Sequence, residues 1–516
     1  MRRQLAIHPL LFGLFAVLAL YSANVKEVSP AQVLAPAGVG LGCIAILLFV
    51  AWLIYRNMMK AGLAVSLLVV LCFSYGHVVN LIAKSPGAGY NFFTPISGWA
   101  GFLLLVWIAV GAVGVCLLFL YRPRKHLGRL TTVLNVIGAG LVITSTITIG
   151  VNEIRGSSGN PGTAEGTDIK LSAPQTLPDI YYIILDRYAS AGTLKELGFD
   201  NSEFINYLTS KGFYVAEDSR DNYLSTEHSL ASSLNMEYLD DLAQQVGDTC
   251  TDVKPLYAML QDYKVWRLLK SAGYEFIHFG SWWEPTRENK YADININYSG
   301  SLPEFSNLLL RTTAIDPIGR MADLWGDPRT IQYERVKYEF GRLSQIPETK
   351  GPTFVFAHFL TPHPDYVFES NGDFLSLQEK AAKGSAEALY LDQMVATNNM
   401  VESCIDHLLA ESAVPPIIIL QSDEGPYPDF IDTFNWTQSQ GDDLNLRVKS
   451  GILNAYYFPG VDSSVFYPSI TPVNSFRLLF NLYFGTNLEL LPDKYYYWYP
   501  RLPYKFIDVT DFLKPG

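Results

Sequence analysis

Five apolar stretches, at roughly 8–24, 34–55, 61–83, 97–121 and 130–151, crowd the first third of the 516-residue chain. Each approaches the ~20 residues needed to cross a bilayer core, where a lone segment satisfies its backbone polar groups only as a helix. A bundle of five spanning helices is therefore expected. If the stretches alternate in direction, Arg2, Arg3, Arg56, Lys60, Arg122, Arg124, Lys125 and Arg129 share one side, against Lys26, Lys84 and Arg155 on the other. The positive-inside bias then places the N-terminus in the cytoplasm and everything after about residue 152 outside it. The first stretch also fits a secretory signal, but no small-x-small site follows and four more spans do, so a retained anchor is expected. Inside the third span, His77 and Asn80 stand out as a polar pair, for which a hydrogen bond within the bundle is expected.

Charge separates the chain the same way. Residues 1–155 hold 11 Lys/Arg and 2 Asp/Glu, whereas the remainder holds 27 and 48. So acidic an external part excludes nucleic acid as a partner, because phosphate neutralisation needs a basic surface. Cys43, Cys72 and Cys116 fall in the spans as packing residues, leaving Cys250 and Cys404 outside, where a disulfide is permitted but not specified. No zinc-type cysteine spacing occurs.

Residues 156–177 are rich in Gly, Ser, Thr and Pro and form a linker. Beyond it, apolar strand-like runs at 180–185, 274–279, 353–359, 416–422 and 452–458 alternate with helical patterns near 191–212, 228–239, 261–272, 387–410 and 472–484. This alternation predicts an α/β domain over 178–516 with a largely parallel sheet. In such a sheet the strand ends converge on one crevice, the usual ligand site.

Three strand ends carry polar groups. Ile180–Leu185 runs into Asp186, Ile417–Leu420 runs into Gln421-Ser422-Asp423-Glu424-Gly425, and Phe354–Phe356 leads to His358 and, past the strand, His363. Adjacent carboxylates at a sheet rim repel unless a cation or donors compensate them. Asp186, Asp423, Glu424 and a Thr226 alkoxide would make an all-oxygen set, favouring Mn, Mg or Ca over Zn. Their ordinary roles are a helix cap for Asp186 and an acidic turn for Asp423-Glu424. Ser225 or Thr226 fits a helix cap, and equally a nucleophile at a helix N-terminus, where unsatisfied N–H groups stabilise a transferring phosphoryl group. His363, in the loop past the strand, is the expected functional histidine, and His358 the expected structural one. Trp282 and Trp283, after the 274–279 run, suit sugar stacking, a lipid path or core packing.

In this order the residues resemble the sulfatase and alkaline phosphatase superfamily. Within it, they resemble the membrane branch of lipoteichoic acid synthases and lipid A phosphoethanolamine transferases, which also place five spans before an external catalytic domain. Leu185-Asp186 matches the first acidic metal ligand, Thr226-x-x-Ser229 the nucleophile motif and Ser422-Asp423-x-Gly425 the second acidic ligand. Pro362-His363-Pro364 looks like the substrate-side histidine loop. One departure is Glu424, where that family usually has histidine. A further downstream histidine has no counterpart, and Arg447 or Lys449 in that stretch could meet an anionic group instead.

The resemblance implies an enzyme of the bacterial-type cytoplasmic (inner) membrane with its catalytic domain outside. Thr226 would take a phospho-head group from a membrane phospholipid donor and pass it to an envelope glycan acceptor. His363 would donate to a non-bridging oxygen or protonate the leaving group. Sulfate or phosphate ester hydrolysis is the enzymatic alternative, although Thr226-Glu227-His228-Ser229-Leu230 lacks the Cys/Ser-x-Pro-x-Arg pattern of dedicated sulfatases. A catalytically silent membrane scaffold or glycan-binding protein is the alternative that Glu424 motivates.

Overall fold

The computed structural model describes all residues except 1–4, 83–97, 121–123, 158–168, 173–175, 301, 323, 325, 427–443, 500 and 514–516. Arg2, Arg3, Lys84, Arg122 and most of the expected linker lie outside the described residues. The apolar stretches form α1 (His8–Ala23), α2 (Pro30–Tyr55), α3 (Met58–Ile82), α4 (Gly98–Leu120) and α5 (Arg124–Ser157). Four are long and apolar enough to cross a membrane, and α1 is a shorter apolar helix of 16 residues. Their outward faces carry exposed leucine, isoleucine, valine and phenylalanine, as lipid contact requires. His77 and Asn80 do not bond within the bundle as expected. Both are exposed near the end of α3, while polar contacts between the described bundle helices include that of His8 Nδ1 with Ser66 Oγ at 2.5 Å.

The chain divides into two compact units. Leu302–Pro328 groups with the membrane helices, and the second unit comprises 159–301 and 329–516. The second unit is an α/β domain around a seven-stranded sheet of order β2-β7-β6-β1-β5-β3-β4. The strands are β1 (Ile180–Leu185), β2 (Tyr214–Val215), β3 (Glu275–Phe279), β4 (Ile294–Ile296), β5 (Thr353–Phe359), β6 (Ile417–Gln421) and β7 (Asn454–Tyr457). β6, β1, β5, β3 and β4 run parallel, and β7 and β2 finish one edge antiparallel.

β1 shows why the apolar run is continuous. Tyr181, Ile183 and Leu185 enter one core, beneath the helices Pro328–Leu343 and Ala386–Glu411. Ile180, Tyr182 and Ile184 enter the opposite core, with the helices Thr226–Asn235, Lys264–Ser271 and Pro472–Phe484. A strand covered on both faces has no polar register until it leaves the sheet. Each such side chain contributes about 1.5–3 kcal/mol of burial. Cys250 and Cys404 are both free thiols.

Candidate metal centre

The strand order puts β1 between β5 and β6, so the C-terminal ends of these three strands meet. Asp186 follows β1 directly and continues the ladder, its N–H donating to Phe359 O at 3.0 Å. His358 pairs in register with Ile184 on β5. Asp423 stands two residues past β6. Their ligand atoms lie within 4.8 Å of one another, and among the described residues they form the one such cluster of potential metal ligands. His358 Nε2 is 3.7 Å from Asp186 Oδ2 and 3.9 Å from Asp423 Oδ2. All three side chains are buried.

Asp186 Oδ1, His358 Nε2 and Asp423 Oδ2 are all buried without a hydrogen-bond partner. Leaving one buried polar atom unpaired costs about 1–3 kcal/mol, so three converging on one point fit a cation. His358 Nδ1 is held 3.0 Å from Thr286 Oγ1, which orients the ring as an outer partner orients a metal-binding imidazole. Burial pushes the Asp423 carboxyl up, and the Asp186 charge pushes it further. Burial also acts to raise Asp186, but the imidazoles of His363 and His358 and the Arg187 guanidinium outweigh it and hold Asp186 below the usual carboxylate range.

Thr226 begins the Thr226–Asn235 helix, with Ser225 in extended conformation before it. Its hydroxyl lies on the Asp423 side of the cluster, where it acts to lower the Asp423 pKa against the effect of burial. The helix start is anchored by His228, whose Nε2 lies 2.7 Å from Pro503 O and whose ring stacks on Trp498. Thr226 thus joins the cluster at a helix N-terminus.

Glu424 does not join it. Lys449 Nζ donates to Glu424 Oε2 at 2.6 Å and Arg187 Nε to Oε1 at 2.8 Å. The expected Asp-Glu ligand pair is therefore split. Asp423 turns to the cluster, whereas Glu424 neutralises two cations beside it, and the imidazole comes from β5 instead. His358, expected as a structural residue, lies with the two aspartates in this cluster. Arg187 has φ +64°, a left-handed conformation uncommon for a side-chain-bearing residue, and its N–H reaches Asp423 Oδ1 at 3.3 Å. Burial acts against the Arg187 charge, but Glu424 and Asp186 keep the guanidinium ionised. Burial lowers Lys449, with Glu424 opposing. Lys449 meets an anionic group, as its position allowed, but that group is the protein's own Glu424. Gly425 permits the approach: a Cβ there would lie 2.2 Å from Lys449 O.

A cavity of about 350 Å³ opens over these groups, lined by Thr226, Arg187, Lys449, His363, Trp282 and Trp498 among others. His363 Nδ1 bonds to Pro364 O. A carbonyl oxygen only accepts, so Nδ1 carries the proton and neutral His363 keeps Nε2 as a lone-pair acceptor. Burial pushes its pKa down to about 3, with Arg187 adding to the effect. His363 is thus a neutral, weakly basic imidazole that offers Nε2 as an acceptor atom.

Arg187 gave no signal in the sequence, since an arginine after a strand-end aspartate is ordinary. His358 could be found only by knowing that β5 pairs with β1 in a register that brings His358 beside Asp186.

No family model and no curated protein matches the chain. Solved structures do. The C-terminal periplasmic domain of EcEptC from Escherichia coli, in complex with Zn, matches at 12% identity and TM-score 0.45, over 66% of this chain and 95% of its own. A protein in the alkaline phosphatase superfamily from Vibrio parahaemolyticus matches at 12% identity and TM-score 0.41, over 67% and 81%. The integral membrane lipooligosaccharide phosphoethanolamine transferase A from Neisseria meningitidis matches at 12% identity and TM-score 0.38, over 93% of this chain and 94% of its own.

Proposed function

We propose that the chain is a membrane-anchored, metal-dependent phosphotransferase or phosphoric ester hydrolase, with its active site outside the cytoplasmic membrane. The convergence of three unpartnered ligand atoms on one another, with Thr226 beside Asp423, carries this reading. Asp186, His358 and Asp423 would hold the cation, with Thr226 as the reacting ligand. Adding an imidazole to the carboxylates removes the preference for a hard cation alone and makes Zn as reasonable as Mn. A bound divalent cation would lower the pKa of the coordinated hydroxyl and offset charge on the phosphoryl oxygens.

In the first step Thr226 Oγ bonds to the phosphorus of a phospholipid diester and the bond to the lipid alkoxide breaks. The hydroxyl proton leaves with the lipid as its free hydroxyl, and the head-group phosphate stays on Thr226. Arg187 and Lys449, one face of each held by Glu424, supply positive charge beside the phosphoryl oxygens. In the second step the proton of a glycan hydroxyl or of water passes by way of His363 Nε2 to Thr226 Oγ, as the new oxygen bonds to phosphorus and the bond from phosphorus to Thr226 Oγ breaks. A glycan acceptor gives transfer and water gives hydrolysis. The tryptophans lining the cavity provide stacking faces for a sugar.

The test supplies the full chain in vesicles with head-group-labelled phospholipid and Mn or Zn. The expected products are diacylglycerol and a labelled acid-stable adduct on Thr226, both absent from Thr226→Ala. Undiminished turnover in that variant would sink the proposal.

A further inference from the structure

Residues 302–328 lie between two stretches of the α/β domain in sequence, yet belong to the membrane unit. We propose that this segment is an interfacial membrane element whose apolar side chains sit in the outer leaflet of the bilayer.

The segment is joined to the bundle through its main chain. Ala314 N–H donates to Cys72 O at 2.8 Å, and Gly76 N–H donates to Thr312 O at 3.0 Å. Cys72 and Gly76 are one turn apart on α3, so residues 312–314 lie directly against that helix. Gly76 makes room for them: a Cβ there would stand 2.6 Å from Arg311 O and 2.8 Å from Thr312 Cα. The helix Glu304–Arg311 then packs Phe305 and Leu309 in one cluster with Val17, Tyr21, Val25 and Val33 of α1, α2 and the turn between them.

These partners mark the outer edge of the bilayer. α1 ends at Ala23 and α2 begins at Pro30, with Lys26 and Glu27 in the intervening turn. Tyr21 OH donates to Glu153 Oε1 at 2.7 Å. A carboxyl group beside a tyrosine hydroxyl belongs at the headgroup level, since polar and ionisable groups are expensive deeper in hydrocarbon.

The segment also distributes its side chains as a lipid-facing element does. Leu308, Ile315, Ile318 and Leu324 are 38%, 47%, 45% and 66% exposed, while Arg311 and Asp316 are buried. Asp316 pairs with Arg320 at 3.0 Å, so part of the charge is spent within the segment. Water would favour the opposite arrangement. Leu34 of α2 is 73% exposed and adjoins Val33, which packs with Phe305, so the apolar surface runs on from a spanning helix to the segment. That continuity makes lipid the occupant.

The test uses the full chain in a background with its five cysteines replaced, carrying a polarity-sensitive fluorophore on Ile318→Cys, Leu34→Cys or Lys350→Cys. The protein is reconstituted in phosphatidylcholine vesicles with and without brominated acyl chains. Blue-shifted emission at 318, quenched by bromolipid to the same fold as at 34 while 350 stays unquenched, is the expected result. Water-like, unquenched emission at 318 with quenching intact at 34 overturns the proposal. Blue-shifted emission at 318 that bromolipid leaves unchanged assigns the face to a protein partner and overturns it equally.

Discussion

At the scale of single residues, Glu424 and His358 exchange the roles that sequence order assigns them. Position alone makes Glu424 the neighbour of Asp423, but Lys449 and Arg187 close on its carboxylate from both sides. A buried ion pair is weak evidence of net stability, yet removing one partner leaves uncompensated charge. Glu424→Gln is therefore expected to lower stability by about 3–5 kcal/mol, as an orphaned buried charge does. Metal stoichiometry should persist in that variant and disappear in His358→Ala. Mass spectrometry of the bound metal, beside thermal melting, separates the two roles. Loss of metal from Glu424→Gln with an unaltered melting temperature would return Glu424 to the ligand set. Asp186 and Asp423 stand out in the sequence because buried strands end just before them, and Thr226 because it opens a helical pattern. His358 and Arg187 do not, because their roles depend on which strands are neighbours and on one left-handed backbone turn.

At the scale of elements, continuous apolar runs identified β1, β5 and β6, and the Ala386–Glu411 and Pro472–Phe484 helices appear nearly where their periodicity put them. The expected 191–212 helix is instead Ala191–Glu196 and Ser202–Ser210, broken at Gly198, which has φ +81°. The helix Pro328–Leu343 carries a feature that its sequence does not announce. Glu339 is buried, both its carboxylate oxygens lack a hydrogen-bond partner, and burial pushes its pKa up to about 8 despite Arg335 nearby. An unfolded Glu339 ionises near the ordinary 4.5, whereas the folded one keeps its proton until about 8. The unfolded chain then binds fewer protons across that window, so this group makes stability fall as pH rises from about 4.5 to about 8. Glu339→Gln should melt higher than the wild type at pH 8 and nearly equal it at pH 4.5. Parallel melting curves for the two proteins at both pH values would show that Glu339 is not the source.

At the scale of the whole molecule, the chain does not divide where its hydropathy changes. A fragment of residues 160–516 would carry Phe305 and Leu309 without the bundle residues that cover them. It is expected to aggregate or require detergent, and replacing 303–327 by a short Gly-Ser linker should restore a monodisperse particle by light scattering. A wild-type fragment that is already monodisperse without detergent would argue against this assignment. The sequence by itself determined the apolar helices and the α/β class, because hydrocarbon thickness and strand burial act on contiguous residues. Only the tertiary structure decided that His358 completes the cluster, that Glu424 neutralises two cations and that 302–328 returns to the membrane unit. Those outcomes depend on register between distant strands and on main-chain contact across more than two hundred residues, as between Gly76 and Thr312. No local pattern of apolar and polar residues encodes them.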